Sequence, residues 1–178
     1  MFNTNDTTII CIDIQQKLVN MLQNGDIVSS NAIKLMKTAS ILDINTVITE
    51  QYPKGLGATI NDISSIKPFK TIEKTTFSAL QTQEFADYFK TLNNKNILIF
   101  GIETHICVLQ SVIDLINKGY KVFVVENCSA SRSENDHKTA LELMKQYGAS
   151  VITLEIALFN FLKSSRHPNF KEIQQLIK

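Results

Sequence analysis

A chain of 178 residues, 44% hydrophobic and 20% charged, has a globular composition and the length of one domain with a single sizeable core. Eighteen lysines and arginines against seventeen acidic residues leave a net charge of +1, which argues against a polyanionic partner such as nucleic acid. No apolar run approaches the length needed to cross a membrane.

Short apolar runs alternate with segments of helical period, the pattern of βαβ units around a parallel sheet. The first run, Ile9–Ile14, follows an opening that lacks the basic and apolar regions of an export signal. Cys11, Cys107 and Cys128 are odd in number, widely spaced and without a Cys-x-x-Cys pair, so no disulfide framework is expected and the expected compartment is the reducing cytoplasm. Ala32, Leu35, Met36, Ala39 and Leu42 share a helical face before the second run, Thr46–Thr49. The stretch 51–70, with Pro53, Gly55, Gly57 and Pro68, reads as a long loop and is expected to form a lid or pocket wall. Gly55-Leu56-Gly57 is not a dinucleotide fingerprint, because Ile60 stands at the third glycine position and the motif does not open a helix after the first strand.

The third run is Thr71–Glu73, followed by a helical face of Phe85, Tyr88, Phe89 and Leu92. The fourth, Ile97–Phe100, is punctuated by Gly101 and leads into a face of Leu109, Val112, Ile113 and Ile116. Val122–Val125 precedes a face of Ala140, Leu143, Met144 and Tyr147, and Val151–Leu154 is the last run. Gly119 and Gly148 each end a helical segment, as C-terminal caps do. After Pro168, the residues Phe170, Ile173, Leu176 and Ile177 form a last apolar face expected to dock on the core or on a neighbouring subunit.

Asp13, Lys74 and Cys107 each follow an apolar run. In open α/β sheets, ligands collect outside the carboxyl ends of the strands, near the point where strand order reverses. Cys107 is expected in the first turn of a helix beginning near Thr104. There the helix dipole and a lysine favour the thiolate and should hold its pKa below the free value of about 8.5, against the opposing charge of Asp13. A carboxylate that takes the thiol proton, a lysine that favours the thiolate and backbone amides that receive an oxyanion together make a nucleophilic site. Taken singly, Asp13 is explained as well by a helix cap, Lys74 by a solvated loop and Cys107 by a small buried hydrophobe. Their joint placement favours a common site, although spacing alone does not bring them together.

Ile12-Asp13-Ile14-Gln15, Glu73-Lys74-Thr75-Thr76-Phe77-Ser78-Ala79 and Gly101-Ile102-Glu103-Thr104-His105-Ile106-Cys107-Val108 resemble, in order and spacing, the three signatures of the isochorismatase-like cysteine hydrolases. The resemblance covers nearly the whole chain. Asn127-Cys128-Ser129-Ala130-Ser131-Arg132-Ser133 and the stretch from His167 to Lys178 are similar to the branch called isochorismatase-domain-containing proteins. The resemblance implies one domain over residues 1–178, an α/β fold of three α/β/α layers with a six-stranded parallel sheet. It implies a triad with Asp13 as base, Lys74 as charge partner and Cys107 as nucleophile. It further implies a cis peptide between Ile102 and Glu103, with the Glu103 and Cys107 amides aimed at the substrate oxygen as an oxyanion hole. Thr104 is expected either to help fix that turn or, as a cap, to compete for the Cys107 amide. Gln15, Tyr52 and Phe77 are the remaining candidates for substrate binding, with packing behind the site as the equal alternative.

Nicotinamidases of that family carry a metal cluster of aspartate and histidine beginning just after the second strand, where this chain reads Glu50-Gln51-Tyr52-Pro53. His105, His137 and His167 show no ligand spacing, so neither a metal nor another cofactor is expected. His105 is expected to border the pocket, and His137 and His167 to lie at the surface. Retention of Cys107 favours cofactor-independent hydrolysis of a small amide-like C–N bond through a thioester. The alternatives are isochorismate-type vinyl-ether hydrolysis dominated by Asp13, and a binding or scaffold protein without turnover. The expected partners are a small-molecule substrate and, by resemblance, further copies of the chain in a homo-oligomer, with no nucleic acid and no membrane.

Overall fold

A computed structural model describes residues 1–178. Its six strands are β1 (Thr7–Ile12), β2 (Asn45–Gln51), β3 (Lys70–Lys74), β4 (Asn96–Gly101), β5 (Lys121–Val125) and β6 (Ser150–Ile152). They form one parallel sheet in the order β3-β2-β1-β4-β5-β6. The chain therefore moves outward from β1 to one edge, then returns beside β1 and moves to the other. The reversal lies between β1 and β4.

Alternation along the central strands divides the apolar residues between two cores. Ile9 and Cys11 of β1, Leu98 and Phe100 of β4, and Phe123 and Val125 of β5 face one layer; Ile10, Ile12, Ile97, Ile99, Val122 and Val124 face the other. After the short α1 (Gln16–Val19), the first layer is built mainly from α2 (Gly25–Ile41), with two helices from the end of the chain described below. Between β2 and β3, the stretch 51–70 holds α3 (Pro53–Leu56) and α4 (Asn61–Ser64) where a loop was expected. Proline at the first position of α3 supplies a φ already suited to a helix, so Pro53 starts an element that its reading as a loop signal overlooks.

The second layer is built from α5 (Gln83–Lys90), α6 (Leu109–Asn117) and α7 (Glu134–Tyr147). In α7 the buried stripe is Ala140, Leu141 and Met144, while Leu143 and Tyr147 are exposed. The helix is rotated so that its buried line runs through position 141. The chain ends with α8 (Leu154–Leu162) and α9 (Phe170–Gln175), which complete the first layer. Helix α9 docks on its own core through Ile173, with Phe170 and Ile177 packed beside it. Each fully buried isoleucine or phenylalanine contributes about 1.5–3 kcal/mol, which is what draws both helical layers onto the sheet.

Ile12 and Gly101 are register partners across the reversal point. Gly101 has φ +139°, and a β-carbon there would fall 2.0 Å from the Ile12 carbonyl oxygen. Gly101→Ala combines a backbone conformation disfavoured for L residues with a clash against main chain, and is expected to destabilise the fold by about 3 kcal/mol or more in urea unfolding. A loss below about 1 kcal/mol would mean that β1 and β4 separate easily here.

Candidate active site

Asp13 follows the last residue of β1 in a left-handed conformation, φ 51°, which aspartate tolerates better than most residues. Its amide still donates to the Thr49 carbonyl at 3.1 Å, so the side chain turns at the sheet edge without losing its place beside β2. Oδ1 accepts from Thr49 Oγ1 at 2.7 Å, and Oδ2 lies 2.6 Å from Lys74 Nζ with no neutral donor on it. Both side chains are essentially inaccessible to water. Lys74 ends β3, two strands away, beside its register partner Gln51 on β2. Nζ also donates to Gln51 Oε1 at 2.6 Å and to the Thr76 carbonyl at 3.3 Å, so the ammonium is held from three sides.

Cys107 arrives from the other half of the sheet. After β4, residues Thr104–Val108 form a π-helical turn that runs into α6, and such turns recur at functional sites. Sγ approaches Gln51 Oε1 at 4.0 Å, and the Asp13 carboxylate and Lys74 ammonium both bear on the thiol. Burial, reinforced by the Asp13 charge and opposed by Lys74, leaves the thiol pushed up to about 12. This reverses the expected depression: removal from water outweighs the cation and the helix start, so the resting sulfur is a thiol. The Ile102–Glu103 peptide is cis. The Glu103 N–H makes no backbone hydrogen bond, whereas the amides of Ile102 and Thr104 on either side are both engaged.

The other expected site residues separate. Gln15 is fully buried, with Oε1 accepting from Gln51 N at 2.8 Å and Nε2 donating to the carbonyls of Gln51 and Gly57. Main chain engages its amide at both ends, so Gln15 ties the wall of the site to β1 instead of facing the cavity. Tyr52 and Phe77 are both exposed. Tyr52, Lys54, Glu73, Thr75 and Gln81 join Lys74 around a polar cavity of about 500 Å³, to which Cys107 does not contribute. The Thr104 hydroxyl does not cap the Cys107 amide; it lies 2.9 Å from His137 Nδ1. His137 is thus half-buried behind the site instead of free at the surface, and burial holds it below the usual histidine range. His105 pairs with Ser131 Oγ at 2.8 Å, and His167 Nδ1 accepts from Asn169 N at 3.2 Å. No three His, Cys, Asp or Glu side chains gather as metal ligands.

Sequence reasoning misses Gln51 and Thr49, although both lie at the carboxyl end of β2. The strand-end rule that selects Asp13 and Lys74 also reaches them once neutral residues are admitted.

The isochorismatase domain model matches residues 7–156. The chain belongs to the isochorismatase family. Isochorismatase domain-containing protein 1 of Danio rerio is 35% identical over 97% of this chain, which spans 61% of that protein's length. Isochorismatase family protein 1A of Dictyostelium discoideum is 36% identical, with 97% and 86% of the two chains covered. Among solved structures, MAR1 ribonuclease from Caenorhabditis elegans superposes with TM-score 0.93 at 34% identity, covering 99% of this chain and 91% of that one. YcaC of Escherichia coli, described as an octameric hydrolase of unknown specificity, shares the fold at TM-score 0.90 and 21% identity, over 99% and 94% of the two chains. The six-stranded parallel α/β architecture is thus that of the isochorismatase-like hydrolases.

The charges around Cys107 make its reactivity separable by mutation. Alkylation by iodoacetamide should rise about tenfold per pH unit, without a plateau up to about pH 10, because the thiolate fraction is what climbs. Asp13→Asn removes an anion that raises the thiol pKa and should speed labelling at a given pH, while Lys74→Met should slow it. A plateau near neutral pH would instead reveal a thiolate at rest. Cys11 and Cys128, fully buried and also raised, should label later than Cys107.

Proposed function

We propose that this isochorismatase-family chain is a cofactor-independent cysteine hydrolase that cleaves a small amide-like C–N bond through a thioester. The observation that carries this reading is the buried Asp13–Lys74 pair, 2.6 Å apart, bearing on the Cys107 thiol where the strand order reverses. A thiol pushed up to about 12 does not wait as a thiolate, so its proton passes to Asp13 as Sγ attacks the carbonyl carbon. The Glu103 and Cys107 amides receive the oxyanion, and the unengaged Glu103 N–H supports that role. Protonated Asp13 then gives its proton to the leaving amine. Water activated by the same carboxylate hydrolyses the thioester and restores the thiol. Lys74 holds Asp13 in place and balances the charge of the site.

Tyr52 and Phe77 are the candidates for substrate contact on this reading, and Gln15 positions the wall behind them. The octameric description of YcaC supports a homo-oligomer, and three free cysteines support a reducing cytoplasmic setting. No helix is long and apolar enough to cross a membrane.

An ammonia-release screen over small amides, ureas and nicotinamide, run beside Cys107→Ala, tests the reaction class. Release should fall by roughly 10³-fold or more in the variant. Turnover that survives Cys107→Ala but not Asp13→Asn would favour vinyl-ether hydrolysis. The likeness to MAR1 ribonuclease motivates a parallel RNA assay. RNA cleavage indifferent to Cys107, with no amide turned over, would replace the proposal.

A further inference from the structure

We propose that Arg132 and His137 are positioning residues for acyl transfer at Cys107, holding the Glu103 N–H in line for the oxyanion through the Glu103 carboxylate and the Thr104 hydroxyl. The inference rests on the reading of Cys107 as nucleophile. Glu103 is buried, and its Oε2 accepts from both Arg132 N at 2.9 Å and Arg132 Nε at 3.0 Å. Thr104, the next residue, is fully buried; its amide donates to the Ala130 carbonyl at 2.9 Å and its hydroxyl pairs with His137 Nδ1 at 2.9 Å. A turn of backbone bearing an unengaged N–H is therefore gripped by the segment that leads into α7 and by α7 itself. Neither gripping side chain is fully buried: Arg132 is 53% exposed and His137 is half-buried. The side-chain hydrogen bonds of both end on Glu103 and Thr104.

Rigid aim matters here because an oxyanion donor works only if it is already in place when charge develops, and a small misplacement weakens it steeply. Two reactions at the same sulfur separate aim from nucleophilicity. With p-nitrophenyl acetate, the thiol proton goes to Asp13 as the Sγ–carbon bond forms, the carbonyl electron pair becomes an oxyanion, and its collapse expels p-nitrophenolate to leave S-acetyl-Cys107. With iodoacetamide, Sγ displaces iodide at a saturated carbon and no oxyanion forms. A loss of aim slows the first reaction alone.

The full-length protein is compared with His137→Phe, which keeps the ring volume, with Arg132→Met, and with His137→Asn, which returns an amide near the position of Nδ1. Urea unfolding confirms that each variant is folded. Acetylation of Cys107, read as the p-nitrophenolate burst and by intact mass, should fall about tenfold or more in His137→Phe and Arg132→Met. Alkylation should stay within about twofold, and His137→Asn should recover most of the acetylation rate. Equal losses in both reactions, or no loss in either, would overturn the positioning role, as would a His137→Asn variant no better than His137→Phe. If Cys107→Ala gives the same burst as the wild type and no acetyl adduct forms on Cys107, the nucleophile assignment itself fails and the positioning role falls with it.

Discussion

The ion pair between Asp13 and Lys74 is the contact on which the arrangement of the site depends. Each charge is removed from water, and an isolated buried charge is costly enough that deleting one partner typically destabilises a protein by about 3–5 kcal/mol. The pair is tolerable because its remaining capacity is used: Thr49 donates to Oδ1, and Gln51 Oε1 and the Thr76 carbonyl accept hydrogen bonds from Nζ. These partners come from the ends of β1, β2 and β3, so the pair also clamps three neighbouring strands at their carboxyl edge. The left-handed turn at Asp13 and the inward reach of an edge-strand lysine are local demands that the pair makes on the backbone.

Charge balance follows from the same burial. Asp13 and Lys74 together are neutral, and a neutral thiol beside them leaves the pocket neutral. Forming a thiolate while Asp13 keeps its charge would leave a net negative charge in a poorly hydrated space, which is why burial and Asp13 together raise the thiol despite the adjacent lysine. Moving the thiol proton onto Asp13 avoids that state, because the pair then consists of Lys74 and the new anion on sulfur. On the proposed mechanism, Lys74 thus serves whichever neighbour carries the negative charge. Helix-dipole arguments for an activated cysteine omit this exchange, since they treat the sulfur without its desolvation.

Much of the architecture was legible in the sequence. Six apolar runs at strand length, separated by segments of helical period, correspond to the six strands, and the strand-end positions of Asp13, Lys74 and Cys107 converge because parallel strands bring every carboxyl end to one edge. Contacts that depend on orientation were not legible. Position 141 replaces 143 in the buried line of α7 because a helix can rotate by part of a turn without changing its amphipathic pattern. The thiol's titration depends on burial, which periodicity does not measure. His137 looked like a solvated helix residue because its partner, Thr104, is 33 positions away and meets it only after α7 folds back over the turn following β4. Gln51 is not legible in the sequence because a neutral amide has no distinctive chemistry until its orientation is known.

The wall around the cavity has a different physical character from the strand ends it covers. Gln15 binds the main chain at Gln51 and Gly57, Glu50 accepts from both the amide and the hydroxyl of Thr59 at 2.7 Å, and Lys17 donates to the Gly55 carbonyl at 2.7 Å. Residues 51–59 are therefore tied to β1, β2 and α1 by side chains that point into the protein, while Tyr52 and Lys54 point out of it. Backbone placement and outward chemistry are carried by separate residues. On the proposed reading, a change of specificity at Tyr52 would leave the Gln15 and Glu50 ties, and hence the contact of Gln51 with Lys74, undisturbed. Changes at Gln15 would have the opposite signature, because they reach Lys74, and with it the proposed triad, through Gln51.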